Sequence, residues 1–223
     1  DEISKISMKY NLWLHVDGAV GGSVLFSKTY SKHIRGVAKS DSFCFNAHKT
    51  LGVPLSTSVL ISKNGDDLYN SFNNEASYLY QTHNDDYNLG QTSFECGRRN
   101  NSLKLWVLWK AIGTSGLEKI VDHEFDLAKH AREYVSSNSD YELYNFKDSL
   151  SVCFNFKNYD PIDLCSKLYE RNKIMVGYGR FNNKTFVRLV TINSQNTKKE
   201  IDSFFKILEK FSQDFGNEIK KIN

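Results

Sequence analysis

The stretch LWLHVDGAVGGS, residues 12–23, begins with a short apolar run and ends in a glycine-rich turn. Residues 12–16 therefore predict a buried β-strand. Two further strands are predicted at residues 42–46 (SFCFN) and 56–62 (STSVLIS), with a helix at 28–39 between the first two strands. Continuous apolar strands separated by a helix are typical of a sheet that is covered on both faces. The first part of the chain is therefore predicted to have an α/β fold.

Polar residues follow two of these predicted strands at their carboxyl ends. Asp17 ends the first strand, and Asn46, His48 and Lys49 lie at the end of the second. In open α/β sheets, ligands bind beyond the carboxyl ends of the strands, so an acid and a lysine are predicted to share one edge of the sheet. Glycines next to the aspartate would let a ligand approach the backbone closely. On spacing alone an ordinary alternative remains, in which the aspartate caps a turn and the lysine is solvated.

The middle of the chain combines a long irregular segment with a strongly apolar helix. Residues 66–101 are polar and aromatic without clear periodicity, which is typical of a functional loop or a partner-binding segment. The helix that follows has apolar residues around most of its circumference and is therefore predicted to be buried. These residues are Leu103, Leu105, Trp106, Leu108 and Trp109. Gly113 interrupts the pattern, and we predict a domain boundary there, which gives domains at 1–113 and 114–223.

The second predicted domain alternates strands with capped helices. Strands are predicted at residues 141–145, 150–156, 174–178 and 185–191, and helices at 116–136, 161–172 and 198–213. Asp160 before Pro161 is a helix start signal, and Thr197 with Glu200 makes a capping box. Runs of strands framed by helices predict a small α+β domain with a mostly antiparallel sheet.

The composition argues against several classes of protein. The 223 residues carry a formal net charge of +3, and basic residues are spread along the chain, so we expect no nucleic-acid partner. No apolar stretch reaches the roughly 20 residues that span a bilayer, and no signal peptide is recognisable, so we expect no membrane partner. The four cysteines contain no C-x-x-C pair, which favours a reducing, cytoplasmic setting without zinc or dithiol sites.

Several other reactive side chains are assigned structural rather than chemical roles. Cys44 and Cys153 lie in apolar runs and are predicted to be small buried hydrophobic residues. His15, inside the first strand, is interpreted as a core histidine. A histidine and two aspartates at 83–86 could be considered metal ligands, but one loop without a fourth ligand is a weak zinc site. We therefore expect no metal.

Three segments of the chain together resemble one enzyme family. They are HVDGAVGGS (15–23), NAHKTLGVP (46–54) and ECGRRNNSLKLW (95–106). In order and spacing they resemble the H-V-D-A-A-W-G-G, N-P-H-K and C-G-R-R/H blocks of the group II decarboxylases that depend on pyridoxal 5'-phosphate. The closest resemblance is to the branch of glutamate, cysteine-sulfinate and aspartate 1-decarboxylases. It extends to ASYLYQ (76–81), SVCFNF (151–156) and FVRLV (186–190).

The resemblance implies a role for each residue of the predicted site. Lys49 resembles the lysine that binds the cofactor as a Schiff base. Asp17 resembles the acid that pairs with the pyridine nitrogen and keeps it protonated, so that the ring can act as an electron sink. Ala19 resembles the small residue packed against one face of the ring. Asn46 and His48 resemble neighbours that hold the cofactor and its phosphate.

Two further residues acquire roles through the resemblance. Arg188 resembles the arginine that binds the substrate α-carboxylate through its planar fork. It lies in an apolar strand, where an unpaired charge would be costly, and a salt bridge within the small domain is the alternative. Tyr87 resembles a loop tyrosine that can protonate the substrate carbon, and a tyrosine that merely packs in an exposed loop is its alternative.

The resemblance also implies a fold, an activity and a partner. The expected fold is the C-terminal part of an aminotransferase-like large domain with a mixed, mostly parallel sheet, followed by a small α+β domain. The chain is thus expected to be an inactive fragment of a homodimer that converts an acidic L-amino acid into the amine and CO2. Two enzyme alternatives are another pyridoxal-phosphate-dependent carbon–carbon lyase and an aldehyde-forming decarboxylase. A third alternative is a non-catalytic remnant that serves as a dimerisation or interaction module.

Overall fold

The computed structural model describes residues 1–73, 89–95, 97, 99–144 and 147–222. They form two units, Asp1–Lys119 and Ile120–Asn223. The division lies shortly after residue 113, where the sequence predicts a domain boundary. Both units combine helices with β-sheet, and the α/β class is as predicted.

A three-stranded sheet organises the first unit. It consists of β1 (His15–Gly18), β2 (Ser42–Asn46) and β3 (Ser58–Ser62), in that order. Strand β1 pairs with β2 in parallel, whereas β3 pairs with β2 in antiparallel orientation. The sheet is therefore mixed, as predicted, but not mostly parallel in the described part of the chain. Phe43 and Phe45 on β2 are buried, while Cys44 between them is only half-buried, because successive side chains of a strand point to opposite faces.

Short helices precede, connect and follow these strands. They are α1 (Glu2–Lys9), α2 (Ala47–Thr50), α3 (Asp66–Phe72), and 3₁₀ segments at Gly21–Phe26, Ser31–Ile34, Val37–Lys39 and Leu89–Thr92. The α-helix predicted at 28–39 is wrong, because Gly36 has φ +93° between two of the 3₁₀ segments and interrupts the helical path. Helix α3 lies inside a stretch that the sequence predicts to be irregular throughout.

A long helix, α4, runs from Ser102 to Ser137. Gly113 inside it has φ 68° and ψ 177°, which no α-helical residue adopts, so the helix is broken there. The prediction that its first turns are buried is wrong within the described chain. Trp106 is 57% exposed, and Leu103, Val107 and Trp109 are also exposed. The apolar residues of this helix predict that other protein surface covers it. They do not predict that the covering residues belong to residues 1–223.

A four-stranded antiparallel sheet organises the second unit. Its strands are β4 (Tyr141–Tyr144), β5 (Ser151–Phe156), β6 (Gly177–Phe181) and β7 (Lys184–Val190), in the order β4-β5-β7-β6. Helices α5 (Pro161–Glu170) and α6 (Lys198–Phe215) begin at the predicted caps. The Asp160 side chain accepts from the first-turn amides of α5, and Thr197 with Glu200 forms the capping box of α6.

The core of the second unit is aromatic. Phe154 and Phe156 from β5 share this core with Phe205 from α6, and all three are fully buried. The Phe205 ring also stacks on Tyr134, with 4.2 Å between ring centroids. None of the helices in the described ranges is long and apolar enough to cross a membrane.

Candidate active site

The parallel pairing of β1 and β2 brings the predicted site residues to one edge of the first unit's sheet. Asp17 lies next to the last residue of β1, and Asn46 ends β2. Helix α2 follows immediately and carries His48 and Lys49. Because parallel strands end at the same edge, this topology collects an acid, an amide, an imidazole and an amine there.

The Asp17 carboxylate is exposed and held by its own turn. Its Oδ1 accepts a hydrogen bond of 2.9 Å from the Ala19 backbone N–H. This bond is the main cause of a pKa below the usual value for an aspartate, and the charges of His15 and Lys49 lower it further. The group is therefore an anion at neutral pH, and the Lys49 ammonium lies within its electrostatic reach.

Glycines let the turn after Asp17 lie directly on β2. A Cβ atom on Gly18 would lie 2.7 Å from the Cys44 carbonyl oxygen and 2.9 Å from the Phe43 ring. A Cβ on Gly22 would lie 2.8 Å from Cβ of Phe45. Only glycine fits at either position, so the predicted glycine turn serves close packing of the backbone onto the sheet.

The His48 ring is fixed by the backbone of Thr57. Its Nδ1 lies 3.0 Å from the Thr57 N–H and 2.9 Å from the Thr57 carbonyl oxygen. Its Nε2 has no hydrogen-bond partner in the described part of the chain. The Asn46 backbone N–H donates to the Ala19 carbonyl at 3.2 Å, and this bond connects the end of β2 to the turn after Asp17. His48 therefore presents one ring nitrogen to a ligand.

Lys49 is half-buried on α2. Among the residues that the structure describes, none forms a hydrogen bond or ion pair with its ammonium group. An amine without a local partner, close to a carboxylate at a sheet edge, is available for covalent chemistry with a carbonyl compound.

Arg188 belongs to the second unit. It lies on β7, where it pairs with Cys153 on β5 and Gly177 on β6. Its side chain is exposed, so the expectation of a charge embedded in an apolar strand is wrong: Phe186 and Val187 are buried, but Arg188 is exposed. No carboxylate of residues 1–73, 89–95, 97, 99–144 or 147–222 forms an ion pair with it. The alternative of a structural salt bridge therefore has no support in these ranges.

Several predicted residues lie outside the described residues. They are Tyr87, the 83–86 group and two members of the C-G-R-R segment, Cys96 and Arg98. The proposed role of Tyr87 stays a prediction. Among the described residues, no group of three His, Cys, Asp or Glu could hold a metal ion.

Sequence reasoning missed the connection between His15, Cys44 and Asp17. His15 is exposed rather than part of the core, and Cys44 is half-buried with its sulfur 3.7 Å from Asp17 Oδ1 and from His15 Nε2. The alternation in SFCFN could have shown only that Cys44 leaves the apolar face, because residues 43 and 45 take that face; its approach to Asp17 follows from the register of β1 and β2. Cys153, by contrast, is buried as predicted.

Comparison with known proteins gives consistent results. Residues 1–157 match the family model described as the pyridoxal-dependent decarboxylase conserved domain. The chain is 31% identical to human cysteine sulfinic acid decarboxylase over 96% of its own length and 48% of that protein. It is 28% identical to mouse acidic amino acid decarboxylase GADL1, over 96% and 43% of the two chains. The crystal structure of mouse CSAD superposes with a TM-score of 0.84 at 29% identity, again over 96% and 48%. The chain thus spans about half the length of the relatives it matches.

Proposed function

The chain belongs to the family of pyridoxal-dependent decarboxylases, and from that premise we propose that its full-length protein decarboxylates an acidic L-amino acid. The products would be the corresponding amine and CO2. The two named relatives act on cysteine sulfinic acid and on acidic amino acids, and these names support the acidic substrate class. One observation carries the proposal: the anionic Asp17 shares a single sheet edge with Lys49, whose ammonium group has no partner among the described residues.

The described residues fit pyridoxal 5'-phosphate. The pKa of Asp17 is lowered, so this carboxylate is ionised at neutral pH and presents a negative charge at the sheet edge, as a protonated pyridine nitrogen requires. Lys49 supplies the amine for covalent attachment, and His48 offers its Nε2 as a polar contact. The bound cofactor supplies an electron sink for the charge that remains on the substrate carbon when CO2 departs.

The chain's own residues would then orient the substrate. We propose that Arg188 binds the substrate α-carboxylate, because its guanidinium is exposed and lacks an ion-pair partner among the described residues. A proton must reach the substrate carbon after CO2 leaves, and Tyr87 is the proposed donor on the basis of the resemblance. Lys49 must react as a neutral amine to form its covalent bond with the cofactor.

We further propose that the protein is a cytoplasmic homodimer. Exposed large apolar side chains on α4, such as Trp106 and Val107, support association with additional polypeptide. Sedimentation of the full-length protein at micromolar concentration tests the dimer. A fully active monomer would contradict it.

Lysine labelling tests the central proposal. The full-length protein is loaded with pyridoxal 5'-phosphate, reduced with borohydride and digested, and modified peptides are identified by mass spectrometry. We expect modification at Lys49, and loss of both label and turnover in Lys49→Ala. Lys63→Ala, which removes an exposed lysine beyond the end of β3, is the matched control and should behave like the unchanged protein. Equal labelling of another lysine in Lys49→Ala would exclude the assignment.

Product analysis separates the alternatives. Amine with one equivalent of CO2 supports the proposed decarboxylase, whereas aldehyde with ammonia identifies the aldehyde-forming enzyme. A full-length protein that is labelled at Lys49 but converts no amino acid would support the non-catalytic remnant. Comparing cysteine sulfinate, aspartate and glutamate as substrates then ranks the members of the acidic class.

A further inference from the structure

A row of hydrogen-bonding side chains crosses the polar face of the first unit's sheet and ends at Asp17. The Trp13 indole N–H donates to Ser42 Oγ at 2.9 Å, and Ser42 Oγ lies 2.7 Å from His15 Nδ1. His15 Nε2 lies 3.7 Å from Cys44 Sγ, which in turn lies 3.7 Å from Asp17 Oδ1. We call these five residues the polar row.

The strand register explains why the polar row forms. In the parallel pairing, His15 is opposite Ser42 and Asp17 is opposite Cys44. Residues opposite each other on neighbouring strands project from the same face, so the four side chains form two adjacent pairs. Trp13, just before β1, extends the row by one further contact.

The chemistry of Trp13 and Asp17, the two end residues, fixes which group donates and which accepts in each hydrogen bond of the polar row. An indole N–H can only donate, and an ionised carboxylate can only accept. Ser42 Oγ accepts the hydrogen bond from the indole N–H and therefore has its own O–H available to donate to His15 Nδ1. His15 can then carry its proton on Nε2 and donate to Cys44, whose S–H is left to donate to Asp17. This arrangement uses each proton once and satisfies both ends.

We propose that Cys44 and His15 are positioning residues that orient the Asp17 carboxylate for the cofactor. The Cys44 S–H and the Ala19 N–H both act on Oδ1. Oδ2 has no hydrogen-bond partner in the part of the chain that the structure describes, and it is the oxygen left for a pyridine nitrogen. The inference rests on the proposed function for its purpose, but the hydrogen bonds themselves are independent of that function.

The electrostatics of Cys44 agree with a donor role. Desolvation is the main cause of a raised pKa for this thiol, and the Asp17 charge raises it further. The sulfur therefore keeps its proton at neutral pH and has it available for Asp17. A thiolate at the same place would repel the carboxylate and could not orient it.

Infrared spectroscopy of the cofactor-free full-length protein tests the hydrogen bond directly, because S–H stretching bands are isolated from other protein bands. Cys44→Ala and Cys153→Ala assign the two bands. Cys153 is a suitable reference, since it is buried without a hydrogen-bond partner among the described residues. We expect the Cys44 band at lower frequency than that of Cys153, and an upward shift of it in Asp17→Ala. A Cys44 band that does not respond to Asp17→Ala would overturn the proposal, even if Cys44→Ala itself fails to fold.

Cofactor affinity tests the positioning role. In Cys44→Ala we expect the dissociation constant of pyridoxal 5'-phosphate to rise about three- to tenfold, the effect of losing one modest hydrogen bond. Cys44→Ser keeps a donor and should lose less, whereas Cys153→Ala should not change the affinity. Equal affinities of all three variants for pyridoxal 5'-phosphate would show that Cys44 has only a packing role. If Lys49 is never labelled but the infrared shifts appear, the proposed function is wrong, whereas the hydrogen bonds of the polar row are confirmed.

Discussion

The two units differ in how completely they bury their own apolar residues. The second unit has a continuous core from its sheet and from three helices, with Phe154, Phe156, Phe205 and Leu208 fully buried. In the first unit, large apolar side chains such as Ile3, Trp13, Ile61 and Trp106 are more than half exposed. Both edge strands of its sheet, β1 and β3, also pair on one side only within the described residues.

The sequences of the two units therefore specify different things. The second unit's sequence specifies a hydrophobic core that its own residues complete. The first unit contains the candidate site, and several of its large apolar side chains are left exposed by the described residues, as on surfaces that bind further polypeptide.

Isolated fragments should show an all-or-none difference. We expect residues 114–223 to unfold cooperatively on heating, because the aromatic core is contained within them. Residues 1–113 should show no cooperative transition and should aggregate, because their apolar side chains lack cover. Circular dichroism with temperature, together with size-exclusion chromatography, measures both. A cooperative transition in the first fragment would contradict the contrast.

Within the second unit, neighbouring residues on α6 provide a matched pair. Leu208 is 0% exposed and Ile207 is 38% exposed. We expect Leu208→Ala to lower the free energy of unfolding by about 2–5 kcal/mol, because it leaves a cavity in a packed core. Ile207→Ala should cost less than about 1 kcal/mol. Denaturant titration of the 114–223 fragment gives both values, and similar losses would show that the core is not packed as described.

Arg188 connects the self-contained unit to the proposed chemistry. Arg188→Lys keeps the charge but loses the planar fork, so we expect kcat/KM of the full-length protein to fall about 30-fold, or about 2 kcal/mol. Exposure makes a larger loss unexpected, because the guanidinium is not a buried charge. Cofactor labelling at Lys49 and the melting temperature should stay unchanged. Loss of labelling together with activity would assign Arg188 a structural role instead.

Glu124 gives the second unit a pH-dependent stability. Its side chain is 0% exposed, its two carboxylate oxygens lack hydrogen-bond partners among the described residues, and burial raises its pKa to about 9. Between the ordinary value of 4.5 and about 9, the unfolded state releases a proton that the folded state retains. The free energy of unfolding should therefore fall as pH rises through this window.

A substitution isolates that contribution. We expect Glu124→Gln to make the free energy of unfolding less dependent on pH. At pH 7 it should stabilise the 114–223 fragment by on the order of 1–2 kcal/mol. Asp126→Asn, on the exposed side of the same helix, is the control and should keep the original slope. Unfolding curves at pH 5, 7 and 8.5 are sufficient, and equal slopes for all variants would exclude Glu124 as the source.

The shared edge of Asp17 and Lys49 could be predicted from the sequence because it depends on local patterns. Two apolar runs with a connection of more than twenty residues between them are compatible with parallel strands, and parallel strands end together. The caps of α5 and α6 were predictable for the same reason, since a side-chain oxygen and the following amides are close in the sequence.

Other features depend on contacts between distant residues or with further polypeptide. The exposure of Trp106 could not be predicted, because an apolar residue does not specify which chain covers it. The orientation of Cys44 toward Asp17 depends on the register of two strands separated by more than twenty residues. Helix α3 has no buried residue and therefore leaves little apolar periodicity to detect.

The tight fit of Gly18 has a consequence for the evolution of the family. A methyl group there would meet the Phe43 ring and the Cys44 carbonyl at less than 3 Å. Homologues that carry alanine at this position, as the family block H-V-D-A-A-W has it, must compensate on the neighbouring strand. Positions 18 and 43 should therefore covary: glycine should accompany a large aromatic residue, and alanine a smaller side chain. In this lineage the glycine and the phenylalanine constrain each other, and neither is expected to change alone.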